Sequence, residues 1–380
     1  MYCGEMGRSP FELSADWLSG SQLRGFAQWA EQEVFFTDSG RAAIRLAAEI
    51  WNIGNNDDVI APAYNCGSEI SPFLAVGAHI KMYRVDSNGK IDVDDLVSRI
   101  TPRTRVVIVT HYFGRPSEIG ALLDICRERQ IMVLEDCALS LFSKGIGHLG
   151  DAAIFSPRKS LPACDGGILV LRHAPAGEYS LKRAAPVATA RSALSLMKKW
   201  SQQWLPAVRR SSQHDDTNCV STNSALPDMP QSYYWNNGSF VRRGSRFGRG
   251  VLSRIDAIEV VRKRRENYAH LSRRLSDVPG IGFLWGGESL AEGVCPLGLP
   301  ILVDDRRHWW GRLNAAGVSV SCWWEGYHRG IDWSEFPEAR MLKDRLILLP
   351  VHQGLNTHHM QSVAEAVRTV STGPNSKPHI

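Results

Sequence analysis

The sequence lacks several features that would indicate other classes of protein. None of its apolar stretches approaches the roughly 20 residues needed to cross a bilayer, and its first residues contain no apolar signal core. The eight cysteines are scattered without a CxxC pair, which disfavours a zinc site or a small disulfide scaffold and favours reduced thiols in a cytoplasm. The net charge of +5 is too small and dispersed to indicate nucleic-acid binding. A chain of 380 residues with this soluble, globular composition is long enough for two domains.

Short apolar runs alternate with helical patterns in the first half of the chain. The runs are bounded by Gly, Pro and Asp, which is typical of buried strands. The predicted strands cover residues 59–64, 80–85, 105–110, 131–134, 152–155 and 168–171. The predicted helices between them cover residues 67–76, 93–100 and 117–130. This alternation predicts an α/β fold with a mostly parallel central sheet sandwiched by helices.

Residues with useful chemistry follow the later predicted strands. Glu135 and Asp136 end one strand, and Ser156 and Lys159 follow the next. Ligands bind at this edge in open α/β sheets. A lysine there can form a Schiff base with an aldehyde cofactor, and an aspartate can keep a pyridinium nitrogen protonated, so the two together indicate pyridoxal phosphate (PLP) chemistry. Taken singly, each is more often an ordinary loop residue.

An earlier segment offers a place for an anion such as a phosphate. Ser39 fits the N-cap of an Ala/Leu/Ile-rich helix, and Gly40 leaves free backbone N–H groups and room at its start. The alternative is a capped helix with nothing bound. His111 follows a predicted strand on the same edge as Asp136, where the alternative to catalysis is a structural hydrogen-bonding role.

Together these motifs resemble the DegT/StrS-type sugar aminotransferases, a family of fold-type-I PLP enzymes. The Ser-Gly-x-Ala-Ala helix start, the Glu-Asp strand end, and the Gly-Asp-Ala-x-x-Phe-Ser strand before Lys and Asp-Gly-Gly occur there in this order. The resemblance covers residues 34–175 and resumes at residues 253–268 and 345–352. It implies a PLP-binding α/β domain, a smaller C-terminal α+β domain and a homodimer.

The resemblance also implies roles for individual residues. Lys159 becomes the Schiff-base lysine, which would also shuttle a proton during transfer, and Asp136 becomes the partner of the pyridine nitrogen. The resemblance assigns the contacts with the cofactor phosphate to Ser39, Gly40, Arg41 and Ser156.

The sequence departs from the family pattern at three places. Leu139 replaces a glutamine that bonds the ring oxygen, and Cys66 occupies the position of an aromatic residue that stacks on the cofactor. Tyr64 or His111 are the candidates to stack instead. The family's Gly-Tyr-Asn-x-Arg segment, which often reaches the partner subunit's cofactor, is replaced by a segment at residues 244–249.

The composition changes after the predicted strands and divides the chain. Residues 1–250 are predicted to form the large domain, with a helical insertion and a flexible polar loop within residues 176–250. Residues 251–370 are predicted to form the small domain, beginning with one long helix to residue 275, and residues 371–380 a tail. A further helix is predicted around residues 21–31.

The small domain carries an unusual aromatic patch. Trp323 and Trp324 stand beside Tyr327 and His328. Such a patch can form a stacking wall for a ring-shaped ligand or fill the domain junction. The sequence leaves both possibilities open.

These observations predict a cytoplasmic PLP-dependent aminotransferase. The resemblance implies an amino-acid donor such as glutamate and a keto-sugar acceptor, often nucleotide-linked, in polysaccharide or antibiotic biosynthesis. Two alternatives remain at this point: another PLP reaction on the same fold, such as a lyase or an amino-acid-specific transferase, or a non-catalytic regulatory descendant.

Overall fold

The computed structural model describes residues 32–161, 165–172, 179, 181–183, 190, 194, 226–236, 240–287, 289–324 and 326–372. The helix predicted around residues 21–31, most of the predicted insertion and loop in 176–250, and nearly all of the predicted tail lie outside these residues. Among the described residues, no helix combines the length and apolar character of a membrane span.

The N-terminal part of the described chain builds one sheet and the helices that cover it. Its strands are β1 (Glu33–Thr37), β2 (Asp58–Pro62), β3 (His79–Tyr83), β4 (Thr104–Thr110), β5 (Met132–Asp136), β6 (Ala152–Phe155) and β7 (Gly167–Leu171). Its helices are α1 (Gly40–Ile50), α2 (Ser71–Leu74), α3 (Val93–Ser98) and α4 (Gly120–Glu128).

The seven strands just named lie in the order β1-β7-β6-β5-β4-β2-β3. The pairs from β6 through β5, β4 and β2 to β3 are parallel, whereas β7 pairs antiparallel with both β6 and β1. Strands β2, β6 and β7 are buried along their whole length, as expected when helices cover both faces of a sheet. The predicted α/β fold with a mostly parallel sheet is therefore confirmed.

The register of the parallel strands brings the predicted site residues to one edge. Thr110 pairs with Asp136 between β4 and β5, and Asp136 pairs with Ile154 between β5 and β6. The residues that follow β4 and β6, His111 and Ser156, therefore flank the end of β5.

The prediction of a helix over residues 67–76 is wrong for residues 67–70, because α2 begins only at Ser71. A side-chain-supported turn occupies the preceding residues. The Asn65 side chain accepts the backbone N–H of Gly67 at 2.8 Å, and Glu69 accepts that of Cys66 at 3.1 Å. Gly67 has a φ of +78°, a left-handed conformation that favours glycine and interrupts a helix.

The C-terminal part contains a second, antiparallel sheet. Its strands are β8 (Ile281–Phe283), β9 (Gly298–Val303), β10 (Ser321–Cys322) and β11 (Leu346–Pro350), in the order β10-β11-β9-β8. The helices of this part are α5 (Arg246–Leu252), α6 (Ala257–Leu275), α7 (Arg306–Ala315), α8 (Pro337–Arg345) and α9 (Thr357–Ser371). The sheet shares a hydrophobic core with α6, α7 and α9.

The single long helix predicted from residue 251 is instead two helices. Helix α5 ends at Leu252, and Asp256 caps α6 by accepting the backbone N–H of Glu259 at 3.0 Å. An aspartate bonded in this way favours a new helix start over continuation of the old helix. Leu252 and Val260 pack in a cluster with Phe36 of β1. These contacts cross the predicted domain boundary at residue 250, which stays a prediction.

The side chain of Glu135 bonds the loop after β5 to the sheet. This arrangement provides a test of the fold. Its carboxylate accepts the backbone N–H groups of Gly147, Leu149 and Gly150 at 2.7–2.8 Å and bonds His111 at 2.9 Å. Burial acts to raise the pKa of Glu135. The hydrogen bonds from His111 and from the backbone N–H groups of Gly147 and Gly150 outweigh burial, and the pKa is lowered from its ordinary 4.5.

We expect Glu135→Gln to reduce the free energy of unfolding by roughly 2–4 kcal/mol, because an amide cannot accept all of these buried donors. The depressed pKa stabilises the folded chain fully above pH 4.5, and this contribution is lost as the pH falls through the lower folded-state value. The variant should therefore lose less stability than the wild type on acidification. Urea denaturation from neutral to acid pH measures both effects, with exposed Glu128→Gln as the control; equal stability of Glu135→Gln and Glu128→Gln would contradict the assignment.

Candidate active site

Asp136 is the buried acid at the centre of the site. It is the last residue of β5, is only 7% exposed, and its Oδ1 accepts the backbone N–H of Ala138 at 2.9 Å. Burial raises the pKa of Asp136 to about 6, and the charge of Lys159 opposes this rise. The carboxylate is therefore stabilised by a cation in the same site.

Lys159 follows β6, the strand that lies next to β5. It closes a 3-10 turn, Pro157–Lys159, directly after β6 and Ser156, and its side chain is half-buried. Because β5 and β6 are parallel neighbours, the two predicted residues share one edge of the sheet. Sequence reasoning predicted this juxtaposition.

The start of α1 forms a cradle beside Ser156. Ser39 caps α1, its hydroxyl accepting the backbone N–H of Ala42 at 3.2 Å. A Cβ added to Gly40 would stand 3.6 Å from Ser156 Cβ and 3.7 Å from its Oγ. A glycine keeps this space open between a hydroxyl and the N-terminus of a helix of 11 residues, an arrangement that suits a phosphate.

The side chain of Arg41 lies against another segment. Its guanidinium donates to the backbone carbonyls of Ser232 and, at 3.2 Å, Tyr234. Burial lowers the pKa of Arg41, and the nearby Arg158 acts in the same direction. Arg41 therefore fixes residues 232–234 beside the start of α1, and its contact with a cofactor phosphate stays a prediction.

Tyr64 lies in the loop after β2 and packs against the segment that follows β10. Its hydroxyl donates to the carbonyl of Trp323 at 2.6 Å, and its own carbonyl accepts the hydroxyl of Tyr112 at 2.6 Å. Its fully buried ring packs against Trp324, with 4.9 Å between ring centroids, and against Tyr112 at 5.2 Å. The ring is thus used in packing, and its stacking on a cofactor stays a prediction.

His111 is held on both sides of its ring. Its Nδ1 accepts the backbone N–H of Ser117 at 3.0 Å, so Nε2 carries the proton and donates to Glu135 at 2.9 Å. The side chain is 1% exposed. These contacts favour the structural alternative, in which His111 orients the loop after β4, and a cofactor contact stays a prediction.

Cys66 is enclosed by polar neighbours. Its thiol donates to Glu69 Oε2 at 2.8 Å and lies 2.8 Å from the hydroxyl of Ser68. Burial, with the negative charge of Glu69, raises the pKa of Cys66 to about 12, and Lys159 opposes this rise. The thiol is therefore protonated at neutral pH and close enough to Lys159 to respond to its charge.

Two further residues of the site were missed as site residues by sequence reasoning. The Trp323 ring lies over the Lys159 ammonium, with 5.2 Å between Nζ and the ring centroid. Lys343 of α8 is fully buried and donates to the carbonyls of Asn65 at 2.6 Å and Gly326 at 3.0 Å. Lys343 therefore joins the loop after β2 to the loop after β10. The tryptophan pair was a usable signal, whereas nothing in the pattern around Lys343 distinguishes it from a surface lysine.

These residues fit pyridoxal phosphate. Lys159 and Asp136 supply an amine and a buried acid within one site, and Ser39, Gly40 and Ser156 surround the space at the start of α1. The indole N–H of Trp323 is buried without a hydrogen-bond partner among the described residues, so the site also contains a donor able to bind a ligand acceptor.

Solved structures of aminotransferases share the α/β fold of this chain. Four solved structures illustrate the fold. The aminotransferase TlmJ from Streptoalloteichus hindustanus aligns with a TM-score of 0.67 at 22% identity, covering 93% of this chain and 90% of that one. The putative sugar aminotransferase Spr1654 from Streptococcus pneumoniae aligns over 93% of this chain and 91% of that one. Its PLP-form gives a TM-score of 0.67 at 17% identity, and its PMP-form 0.68 at 16%. DesV of S. venezuelae aligns with a TM-score of 0.65 at 20% identity, covering 94% of this chain and 91% of that one.

Sequence comparison relates this chain to known proteins. The profile of the DegT/DnrJ/EryC1/StrS aminotransferase family matches residues 22–179 of this chain. A dTDP-4-dehydro-2,3,6-trideoxy-D-glucose 4-aminotransferase from Saccharopolyspora spinosa is 25% identical over 93% of this chain and 90% of its own length. A UDP-N-acetyl-3-dehydro-alpha-D-glucosamine 3-aminotransferase from Acidithiobacillus ferrooxidans is 32% identical over 35% of this chain and 38% of its own length. The predicted resemblance is confirmed.

The buried ammonium of Lys343 generates a test by pH. Burial lowers the pKa of Lys343 to about 8 from its ordinary 10.5. Between these values the unfolded chain binds one more proton than the folded chain, so this group makes stability rise with pH there. We expect the wild type to gain stability relative to Lys343→Met as the pH is raised from 8 to 10.5.

Urea denaturation of both proteins across this range measures the difference. Lys90→Met removes a lysine whose side chain is 65% exposed and should keep a constant difference from wild type. A pH-independent difference for Lys343→Met as well would contradict the assignment.

Proposed function

We propose that the protein is a PLP-dependent aminotransferase that moves an amino group from an amino-acid donor, such as glutamate, to a keto-sugar. The observation that carries this proposal is the placement of Asp136 and Lys159 at the exits of adjacent parallel strands. The names of the relatives support the sugar acceptor, since they are aminotransferases of nucleotide-linked keto-sugars. We also propose that the acceptor is nucleotide-linked, in polysaccharide or antibiotic biosynthesis, and that the enzyme acts as a cytoplasmic homodimer.

Pyridoxal phosphate, when bound, supplies an electron-withdrawing ring that stabilises negative charge at a substrate carbon. Asp136 would keep the ring nitrogen protonated, and its burial would strengthen this interaction because the local dielectric is low. Ser39, Gly40 and Ser156 would anchor the phosphate and so hold the reactive carbon near Lys159.

Lys159 has two functions in this proposal. Its Nζ would hold the cofactor. When free, the same amine would be a positioned base able to move a proton from the α-carbon of the donor. The face of Trp323 over Nζ limits the approach of water to the amine.

The attachment is tested with Lys159→Ala. We expect wild-type protein mixed with pyridoxal phosphate to show the visible absorbance band of cofactor bound through a lysine, and Lys159→Ala to lack it. Exposed Lys90→Ala should retain the band. A colourless wild type, or an unchanged band in Lys159→Ala, would support the regulatory alternative instead.

The acid is tested with Asp136→Asn. We expect this variant to keep the covalently attached cofactor but to lose at least on the order of a hundredfold in transfer rate, because the amide no longer stabilises a protonated ring nitrogen. Transfer is measured from glutamate to a panel of nucleotide-linked keto-sugars. A rate within a few-fold of wild type would remove Asp136 from the mechanism.

The same panel separates transamination from another PLP reaction. Conversion of the cofactor to its pyridoxamine form with an amino-acid donor is expected of an aminotransferase. Failure to form it with any donor, together with loss of the donor's carboxyl group or side chain, would favour a lyase.

A further inference from the structure

The paired tryptophans of the small domain have separate surroundings. They follow β10 at the junction with the large domain. Trp324 is 4% exposed and packs against Tyr64 at 4.9 Å, Tyr112 at 5.9 Å and Phe113 at 6.4 Å between ring centroids. Trp324 therefore fills the domain junction, one of the two possibilities that the sequence left open.

Trp323 faces the amine instead. Its ring centroid lies 5.2 Å from Lys159 Nζ, and its edge contact with Phe113, at 6.2 Å between centroids, leaves the ring half-buried. Its indole N–H is buried and without a hydrogen-bond partner in the described part of the chain. A large aromatic face and an unused donor thus border the atom that would carry the cofactor.

The position of Trp323 is fixed from the large domain. Tyr64 donates to the Trp323 carbonyl at 2.6 Å. Lys343 holds the carbonyl of Gly326, three residues further on, and also that of Asn65. The tryptophan is therefore pre-positioned by buried hydrogen bonds, and ordering it on ligand binding costs little entropy.

The described large-domain residues offer no obvious replacement for the aromatic residue expected at position 66. Cys66 has no ring and its thiol is bonded to Glu69. Tyr64 is enclosed by other rings, and the side chain of His111 is only 1% exposed. Trp323 approaches the same amine from the small domain.

We propose that Trp323 supplies the aromatic contact for the cofactor held on Lys159, replacing the large-domain aromatic residue that Cys66 displaces. This inference rests on the proposed function. A flat, electron-poor ring gains about 0.5–1.5 kcal/mol from contact with an aromatic face, which corresponds to a change of about twofold to tenfold in a dissociation constant.

The test compares Trp323→Leu, which removes the ring, with Trp323→Phe, which keeps a smaller one. Trp285→Phe is the matched control, because Trp285 contacts the same Phe113 ring at 6.3 Å but donates its N–H to Asn88 at 3.1 Å. Pyridoxal phosphate is titrated into each cofactor-free protein, and both the visible band and the quenching of tryptophan fluorescence are followed.

We expect the dissociation constant to rise about threefold to tenfold in Trp323→Leu and less in Trp323→Phe, with the control unchanged. Fluorescence quenching by the bound cofactor should be smaller in Trp323→Phe than in Trp285→Phe, since the tryptophan that lies over the amine is gone. The quenching comparison decides the matter if Trp323→Leu proves unstable in a thermal melt.

Lys159→Ala separates the two claims. If wild type lacks the band, or Lys159→Ala retains it, the proposed function fails. If those two proteins behave as expected, but the Trp323 variants bind as tightly as wild type and quench like the control, the function stands and the assignment of Trp323 is overturned.

Discussion

The candidate site depends on one arrangement: an amine and an acid lie at the same edge of a buried parallel sheet. Asp136 ends β5, and Lys159 follows the adjacent β6. Glu135 accepts hydrogen bonds from the loop that connects the two strands, and the register between them is continuous. Burial makes the carboxylate costly without a cation, and the ammonium offsets part of that cost.

The C-terminal part of the chain also borders this candidate site. Its loop after β10 brings Trp324 against Tyr64 and Trp323 over the amine of Lys159. Lys343 connects this loop to the turn containing Cys66 by donating to one backbone carbonyl in each segment. This buried lysine therefore links two distant parts of the chain beside the candidate site.

The parts of this arrangement that follow local rules were predictable from the sequence. Short apolar runs predicted strand β6 with its observed bounds and the other five predicted strands to within about two residues. Parallel topology then brought Asp136 and Lys159 to one edge. Helix starts and ends were less predictable. The turn before Ser71 depends on side-chain bonds from Asn65 and Glu69, and the break before Ala257 depends on a cap by Asp256.

Contacts between distant segments could not be predicted in the same way. The partners of Arg41 and Tyr64 are 191 and 259 residues away along the chain, and no local pattern specifies them. The same is true of Lys343 and Asn65, which are 278 residues apart. The choice between a stacking wall and a packed junction for the tryptophan pair needed the tertiary structure, because both possibilities require the same residues.

The most direct test of the central claim is chemical trapping. Wild-type protein incubated with pyridoxal phosphate is reduced with borohydride, digested and analysed by mass spectrometry. The account predicts one pyridoxyl group, attached to the side-chain nitrogen of Lys159. An unlabelled Lys159, with the group on another lysine or on none, would contradict it.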